Sequence, residues 1–253
     1  MREKLKIVLL AYKDNPVGSV FMSAFIKRGI PVYGIITEQR AGDSAWKRFK
    51  NKVLKDGFYG ALNRVAQVYL LKIKRRRIVD LAKEQNVPVY FVDKFNSTDC
   101  ELLLDQLSPD LIVIASAPIL KEKIFSKASI GCINAHPGWL PAYRGIGANA
   151  YALYNGDMPG ITIHFVDSGI DTGNIINRER ISIKKGDTVA KINDRAVARG
   201  AELVCDVILK IIAGQRIDFI KTNEQTGPVY RAMPYKLARK VNKKLKRTGE
   251  IEK

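Results

Sequence analysis

The chain is short of histidine, cysteine, acidic residues and long apolar runs, and each shortage narrows what it can be. Only 2 histidines, His136 and His164, occur in 253 residues, so imidazole chemistry has very few places to sit. Those two could hold a metal only with other ligands, and the expected site uses none. The 3 cysteines, Cys100, Cys132 and Cys205, have neither close pairing nor metal-type spacing. An odd number in a chain of this size argues against a disulfide framework and for a reducing, cytoplasmic setting. The apolar stretch from Ile7 to Ala11 is too short for a signal-peptide core and leads into no small-residue cleavage site. No apolar run reaches the length of a membrane span, so a soluble protein without an integral membrane segment is expected.

Acid is scarce in a particular way. Against 43 lysines and arginines stand 25 aspartates and glutamates, a formal charge of +18 at pH 7. Lys47 to Arg77 holds 11 basic residues and 1 acidic one, and Arg231 to Lys253 holds 9 and 2, so nearly all of the excess lies in these two stretches. Such segments suit contact with an anionic surface, whether lipid, nucleic acid or a nucleotide diphosphate; equally, they suit a face that meets only water. The first stretch interleaves Trp46, Phe49, Phe58, Tyr59, Tyr69, Leu70 and Leu71 with its cations, as an amphipathic surface excursion would over about 43–77. The lysine-rich tail beyond Met233 has few large apolar residues and is expected to be mobile at its end.

What the chain does have is a regular alternation of short apolar runs and helical patterns. A hydrophobic fraction of 46% over 253 residues is enough for one large core, expected over residues 1–214, with a short basic extension over 215–253. Strands are expected at Leu5–Ala11, Pro31–Thr37, Val87–Val92, Leu111–Ala115 and Gly131–Ala135, then at Ile161–Val166 and Ile175–Ile183. Helices are expected from about Val17 to Arg28, closed by Gly29, and near Arg77–Gln85 and Thr98–Gln106. A long helix capped by Asp187 should cover the sheet and end at Gly214. Strand and helix in alternation specify an α/β fold with a doubly wound, mostly parallel sheet, whose ligand sites lie beyond the carboxyl ends of the strands.

At one such end stands the most informative stretch of the chain, Asn134-Ala135-His136-Pro137-Gly138-Trp139-Leu140-Pro141-Ala142-Tyr143-Arg144-Gly145. At period two, Asn134 and His136 share a strand face, so an amide and an imidazole can converge on one reacting atom. A second turn-rich segment, Gly169-Ile170-Asp171-Thr172-Gly173, supplies a carboxylate to orient or charge that imidazole. The plain alternatives are a core or capping histidine, a turn asparagine and an Asx-turn aspartate. His164, alternating with apolar neighbours in Thr162-Ile163-His164-Phe165, reads as a satisfied strand histidine.

The two motifs, from Asn134 to Gly145 and from Gly160 to Gly173, resemble those of the folate-dependent formyltransferase family, which acts on glycinamide ribonucleotide, methionyl-tRNA and sugar amines. The similarity runs from about Leu5 to Gly214. It implies a Rossmann-like formyltransferase fold and catalysis by Asn134, His136 and Asp171. It also implies 10-formyltetrahydrofolate as formyl donor, bound by Pro118, Ile119 and Leu120, by the turn Gly138, Trp139, Leu140 and Pro141, and by Ser168, Gly169 and Ile170. Asn134 and a protonated His136 would stabilise the oxyanion formed when an amine attacks the formyl carbon, and Asp171 would receive the amine proton.

The family's purine-pathway members carry a Gly-Ser-rich phosphate loop after the first strand. This chain has Ala11-Tyr12-Lys13-Asp14-Asn15-Pro16-Val17-Gly18-Ser19 there, in which only Gly18 and Ser19 suit a phosphate near a helix start. The family's tRNA-acting members append a substantial C-terminal β domain, for which the residues after Gly214 leave no room. The expected acceptor is therefore a nucleotide-linked amino sugar, its diphosphate held by Lys13 and Arg144, with glycinamide ribonucleotide as the alternative. Arg144 also reads as a residue that fixes its own turn. A methionyl-tRNA-directed enzyme, a folate- or RNA-binding protein without catalysis and a hydrolase of the donor complete the range.

Overall fold

The computed structural model describes residues 5–38, 76–222 and 227–248. The basic stretch 47–77 therefore falls, apart from its last two residues, outside the described residues. Arg77 ties back to Asp80 by a two-pronged hydrogen bond at 2.8 and 2.9 Å.

Seven strands form one sheet: β1 (Ile7–Ala11), β2 (Gly34–Glu38), β3 (Val89–Val92), β4 (Leu111–Ser116), β5 (Gly131–His136), β7 (Gly160–Phe165) and β8 (Ile175–Arg180), with β6 (Arg144–Gly145) standing apart. Their spatial order is β3-β2-β1-β4-β5-β7-β8. The first five are parallel; β7 adds antiparallel to β5, and β8 antiparallel to β7. All five residues of β1 are buried, as a strand covered on both faces requires. From β1 the chain builds outward to β2 and β3, then returns to lay β4 on the other side, so the winding reverses between β1 and β4. At that seam Tyr12 N–H donates to the Ser116 hydroxyl at 3.0 Å.

The helices sort by what they bury. Helix α1 (Pro16–Lys27) begins where Asn15 accepts from Val17 N–H at 2.9 Å with proline at the first turn. It packs with α2 (Ile78–Glu84) on one face of the sheet, while α3 (Thr98–Leu107) and α4 (Glu122–Phe125) cover the other. Two further helices, α5 (Ala148–Tyr154) and α6 (Val189–Ile212), pack against the α1 side. The α6 start differs from expectation. Thr188 is the cap, its hydroxyl accepting from Lys191 N–H at 3.3 Å, because the Asp187 carboxylate is taken by Arg195 and by Lys184 N–H.

The described part of the tail is helical, while its end, 249–253, expected to be mobile, lies outside the described residues. After a two-residue strand β9 (Val229–Tyr230), paired in parallel with β6, residues Tyr235–Thr248 form helix α7. Leu237, Val241 and Leu245 recur every four residues and lay one stripe on the core, and Asn242 accepts from Val189 N–H at 2.8 Å at the start of α6. The lysines conceal this stripe in the sequence, since three well-spaced apolar residues anchor a helix whose average composition is strongly polar. The docking predicts a clear stability split. Leu245, 2% exposed, should cost about 2–4 kcal/mol on replacement by alanine, whereas exposed Lys243→Ala should stay within about 0.5 kcal/mol, read as urea midpoints. Equal midpoints would mean that α7 does not rest on the core.

Candidate active site

Beyond the carboxyl ends of β4 and β5, beside the winding reversal, lies a cavity of about 570 Å³. Asn134, His136, His164 and Asp171 all line it, together with Pro118, Ile119, Leu120, Gly169 and Ile170. Residues far apart in the chain thus meet through three local devices.

The first is strand register. In the antiparallel pairing of β5 with β7, Asn134 stands opposite His164. His164 Nδ1 lies 2.7 Å from the carbonyl of Phe165 and must donate to it, which leaves Nε2 as the acceptor for the Asn134 side-chain amide at 3.2 Å. His164 is therefore satisfied, as a strand histidine should be, and also part of the cavity wall. The alternating apolar neighbours that suggested a structural role are real, but a pairing partner 30 residues away is invisible in local pattern.

The second device is the loop after β7. It folds back so that Asp171, with φ of 53° in the left-handed region, brings its carboxylate 3.4 Å from His136 Nδ1 and 3.7 Å from His164 Nε2. Aspartate tolerates that backbone conformation better than most residues. Asp167 cross-braces the loop, accepting from Gly169 N–H and the Thr172 hydroxyl at 3.1 and 2.6 Å. Gly173 passes so close to β7 that a Cβ would sit 1.8 Å from the Phe165 carbonyl oxygen.

The third is the turn from Pro137 to Tyr143. His136 is 4% exposed, and its Nε2 lies 2.9 Å from the Tyr143 carbonyl, so Nε2–H donates. Nδ1 faces the Asp171 carboxylate, which also accepts from Gly145 N–H at 2.8 Å. One ring nitrogen is thus engaged by a carbonyl and the other stands 3.4 Å from a carboxylate, which fixes the plane of the imidazole at the cavity wall. Gly138 is obligatory here, since a Cβ would fall 2.4 Å from His136 Nε2.

The other residues singled out in the sequence are placed outside the cavity lining. Leu140 is fully buried, followed by a cis bond to Pro141, and its N–H donates to Thr162 Oγ1 at 3.2 Å. Trp139 is covered by the guanidinium groups of Arg178 and Arg180, 4.3 and 3.8 Å from its ring. Ser168 is likewise absent from the lining among the described residues. Arg144 donates to the carbonyls of Ile170 and Gly227 at 2.8 and 3.2 Å, tying the Asp171 loop to its own turn. Lys13 sits over the Phe91 ring, 5.5 Å from its centre. Sequence reasoning passed over Ile146, Val229, Tyr230 and Arg231, all of which line the cavity. The last three lie far along the chain from the other motifs, and only the pairing of Val229 and Tyr230 with β6 brings them here.

Among the described residues no helix is long and apolar enough to cross a membrane. The profile of the formyl transferase family matches residues 71–208. The chain is 34% identical over 140 residues to the methionyl-tRNA formyltransferase of Kosmotoga olearia, a match covering 54% of this chain and 45% of that one. It spans about half the length of the curated relatives it matches. Its fold superposes on phosphoribosylglycinamide formyltransferase from Streptococcus pneumoniae with a TM-score of 0.59 at 22% identity, covering 82% of this chain and 99% of that one. A 4-N formyltransferase from Francisella tularensis gives 0.58 at 18% identity, over 90% and 77%. The chain belongs to the folate-dependent formyltransferase family and has its Rossmann-like fold.

The environment of His164 makes a pH prediction. Burial and the neighbouring His136 push its imidazole down from 6.5 to about 4, so it is neutral at pH 7 and able to accept from Asn134. In the unfolded chain it takes up a proton near 6.5, in the fold only near 4. Between those values the unfolded state holds the extra proton, so stability falls on acidification through this window and levels off below it. His164→Asn removes this contribution. The stability difference between wild type and variant should therefore shift against wild type as pH drops from 7 to 4, and a difference independent of pH would show that the imidazole is not held neutral.

Proposed function

We propose that the cavity transfers the formyl group of 10-formyltetrahydrofolate to a primary amine of a small anionic acceptor, with a nucleotide-linked amino sugar as the preferred one. The observation that carries formyl transfer is the convergence of Asn134, His136 and Asp171 on one cavity in a chain of this family. Attack of an amine on a formyl carbon develops negative charge on the formyl oxygen. An amide N–H and an imidazolium stabilise such an oxyanion, and a carboxylate beside them accepts the amine proton directly or through water. His164 acts one step back, holding the Asn134 amide. Pro118, Ile119, Leu120, Gly169 and Ile170 offer apolar side chains and backbone groups suited to the faces and rim of a flat heterocycle. Ile119 and Ile146, 65% and 69% exposed at the cavity, suit contact with such a ring.

Support for a sugar nucleotide over glycinamide ribonucleotide comes from the start of α1. Gly18 is packed so that a Cβ would meet Ala11 Cβ at 2.9 Å and Ile78 Cδ1 at 3.0 Å. Ser19 is buried and donates to the Pro16 carbonyl at 2.8 Å, while Asn15 occupies Val17 N–H. The Val17 N–H and the Ser19 hydroxyl, two donors a phosphate at this helix start would use, are committed within the protein, and Pro16 has no N–H to offer. A second reading, methionyl-tRNA as acceptor, is favoured by the names of the sequence relatives.

Asn134→Ala, His136→Ala and Asp171→Ala are each expected to lower formylation of the acceptor at least ~10²-fold with the fold retained by circular dichroism. Near wild-type turnover in two of them would remove the assignment. Acceptor identity is settled by competition. With 10-formyltetrahydrofolate as donor, kcat/KM should be highest for a nucleotide-linked amino sugar, read as mass gain on the acceptor, and a higher value for methionyl-tRNA or glycinamide ribonucleotide would overturn that preference.

A further inference from the structure

The geometry points to Arg231 as the residue that grips a phosphate or diphosphate group on the acceptor, a role that rests on the cavity being the formyl-transfer site. Arg231 lies beyond residues 71–208, the stretch matched by the family profile, yet it lines the same cavity as Asn134, His136 and Asp171. It is the sole lysine or arginine in that lining among the described residues, and no hydrogen bond or ion pair engages its guanidinium there. The cations expected to do this work are committed elsewhere: Arg144 donates to two carbonyls, and Lys13 sits over Phe91 outside the lining.

The position of Arg231 is set by the catalytic centre itself. Gly145 donates its N–H to the Asp171 carboxylate and pairs in the β6–β9 ladder with Tyr230, and Ile146 N–H donates to the Tyr230 carbonyl at 2.9 Å. The Tyr230 ring stacks on Tyr151 with centres 4.2 Å apart and on Tyr143 at 5.7 Å. Tyr143 is the residue whose carbonyl takes the His136 proton donor. Arg231 follows this clamp by one residue, so its backbone is anchored at the cavity while its exposed guanidinium is left to meet phosphate oxygens with a fork of N–H donors.

Charge further along the chain acts in the same sense. Helix α7 carries 7 lysines and arginines and no acidic residue, with Lys236, Arg239, Lys240, Lys243 and Lys246 exposed. Such a surface raises the local concentration of an anion without binding it specifically. Arg231 supplies the specific contact.

The test uses the whole chain and two independent readouts. In calorimetric titration with inorganic pyrophosphate at low ionic strength, Arg231→Gln should weaken binding at least ~10-fold, Arg231→Lys should restore part of it, and Lys83→Gln, on α2, should match wild type. In turnover with a nucleotide diphosphate amino sugar, Arg231→Gln should raise the acceptor KM at least ~10-fold while kcat and the folate KM stay within about threefold, since the contact is made equally before and during reaction. Pyrophosphate binding unchanged in Arg231→Gln overturns the inference, whatever the turnover. Binding that depends on Arg231 in a protein that formylates none of the acceptors leaves the anion site standing and removes the formyl-transfer reading instead.

Discussion

An acceptor at each nitrogen of His136 is the constraint from which the rest of the site follows. Tyr143 must present its carbonyl on one side, and Asp171 its carboxylate on the other. The first demand shapes the turn from Pro137 to Tyr143, where Gly138 has no room for a side chain and Leu140 and the Gly138 carbonyl are both pinned by Thr162, at 3.2 and 2.7 Å. The second shapes the loop from Asp167 to Gly173, braced internally by Asp167 and held to the turn by Arg144. The stack of Trp139 under two arginines extends the support to β8, which carries Arg178 and Arg180. Gly138, Leu140 and Arg144, expected from the sequence to meet a ligand, also hold the frame around the histidine. A mispositioned oxyanion donor costs as much as a missing one, so a rigid frame around a single imidazole is what the proposed chemistry demands.

Local pattern revealed the parts of this protein whose physics is local. The buried strands declared themselves as continuous apolar runs, α1 by its helical pattern closed by Gly29, and the doubly wound sheet by the alternation of strands and helices. Asn134 and His136 were legible because period two puts them on one face, and Asp171 because it sits among glycines in a second motif. Other features depend on pairing across the fold and left no such trace. His164 gained its place by facing Asn134 across an antiparallel ladder, and Val229 to Arg231 gained theirs through a two-residue ladder with Arg144 and Gly145. Asp187 resembled a cap until an arginine eight residues on claimed its carboxylate. Helix α7 was masked by its own lysines, although Leu237, Val241 and Leu245 mark a stripe narrow enough to bury and wide enough to hold.

The end of the described chain serves the site in two ways at once. By docking α7 on the core and capping α6 with Asn242, it fixes the segment that runs from Gly227 to Met233 across the cavity. Gly227 itself donates to the Pro141 carbonyl at 2.9 Å, and a Cβ there would lie 2.1 Å from the Ala142 carbonyl oxygen, so the crossing segment is clamped onto the His136 turn from its first residue. The two arms of the site, the Asn134–His136 strand end and the Asp171 loop, therefore share one brace. Anything that loosens the crossing segment moves Gly145, and with it the N–H that holds the Asp171 carboxylate. The segment that carries Arg231 and the Asp171 carboxylate are thus joined through a single residue, Gly145, which pairs with Tyr230 on one side and donates its N–H to Asp171 on the other.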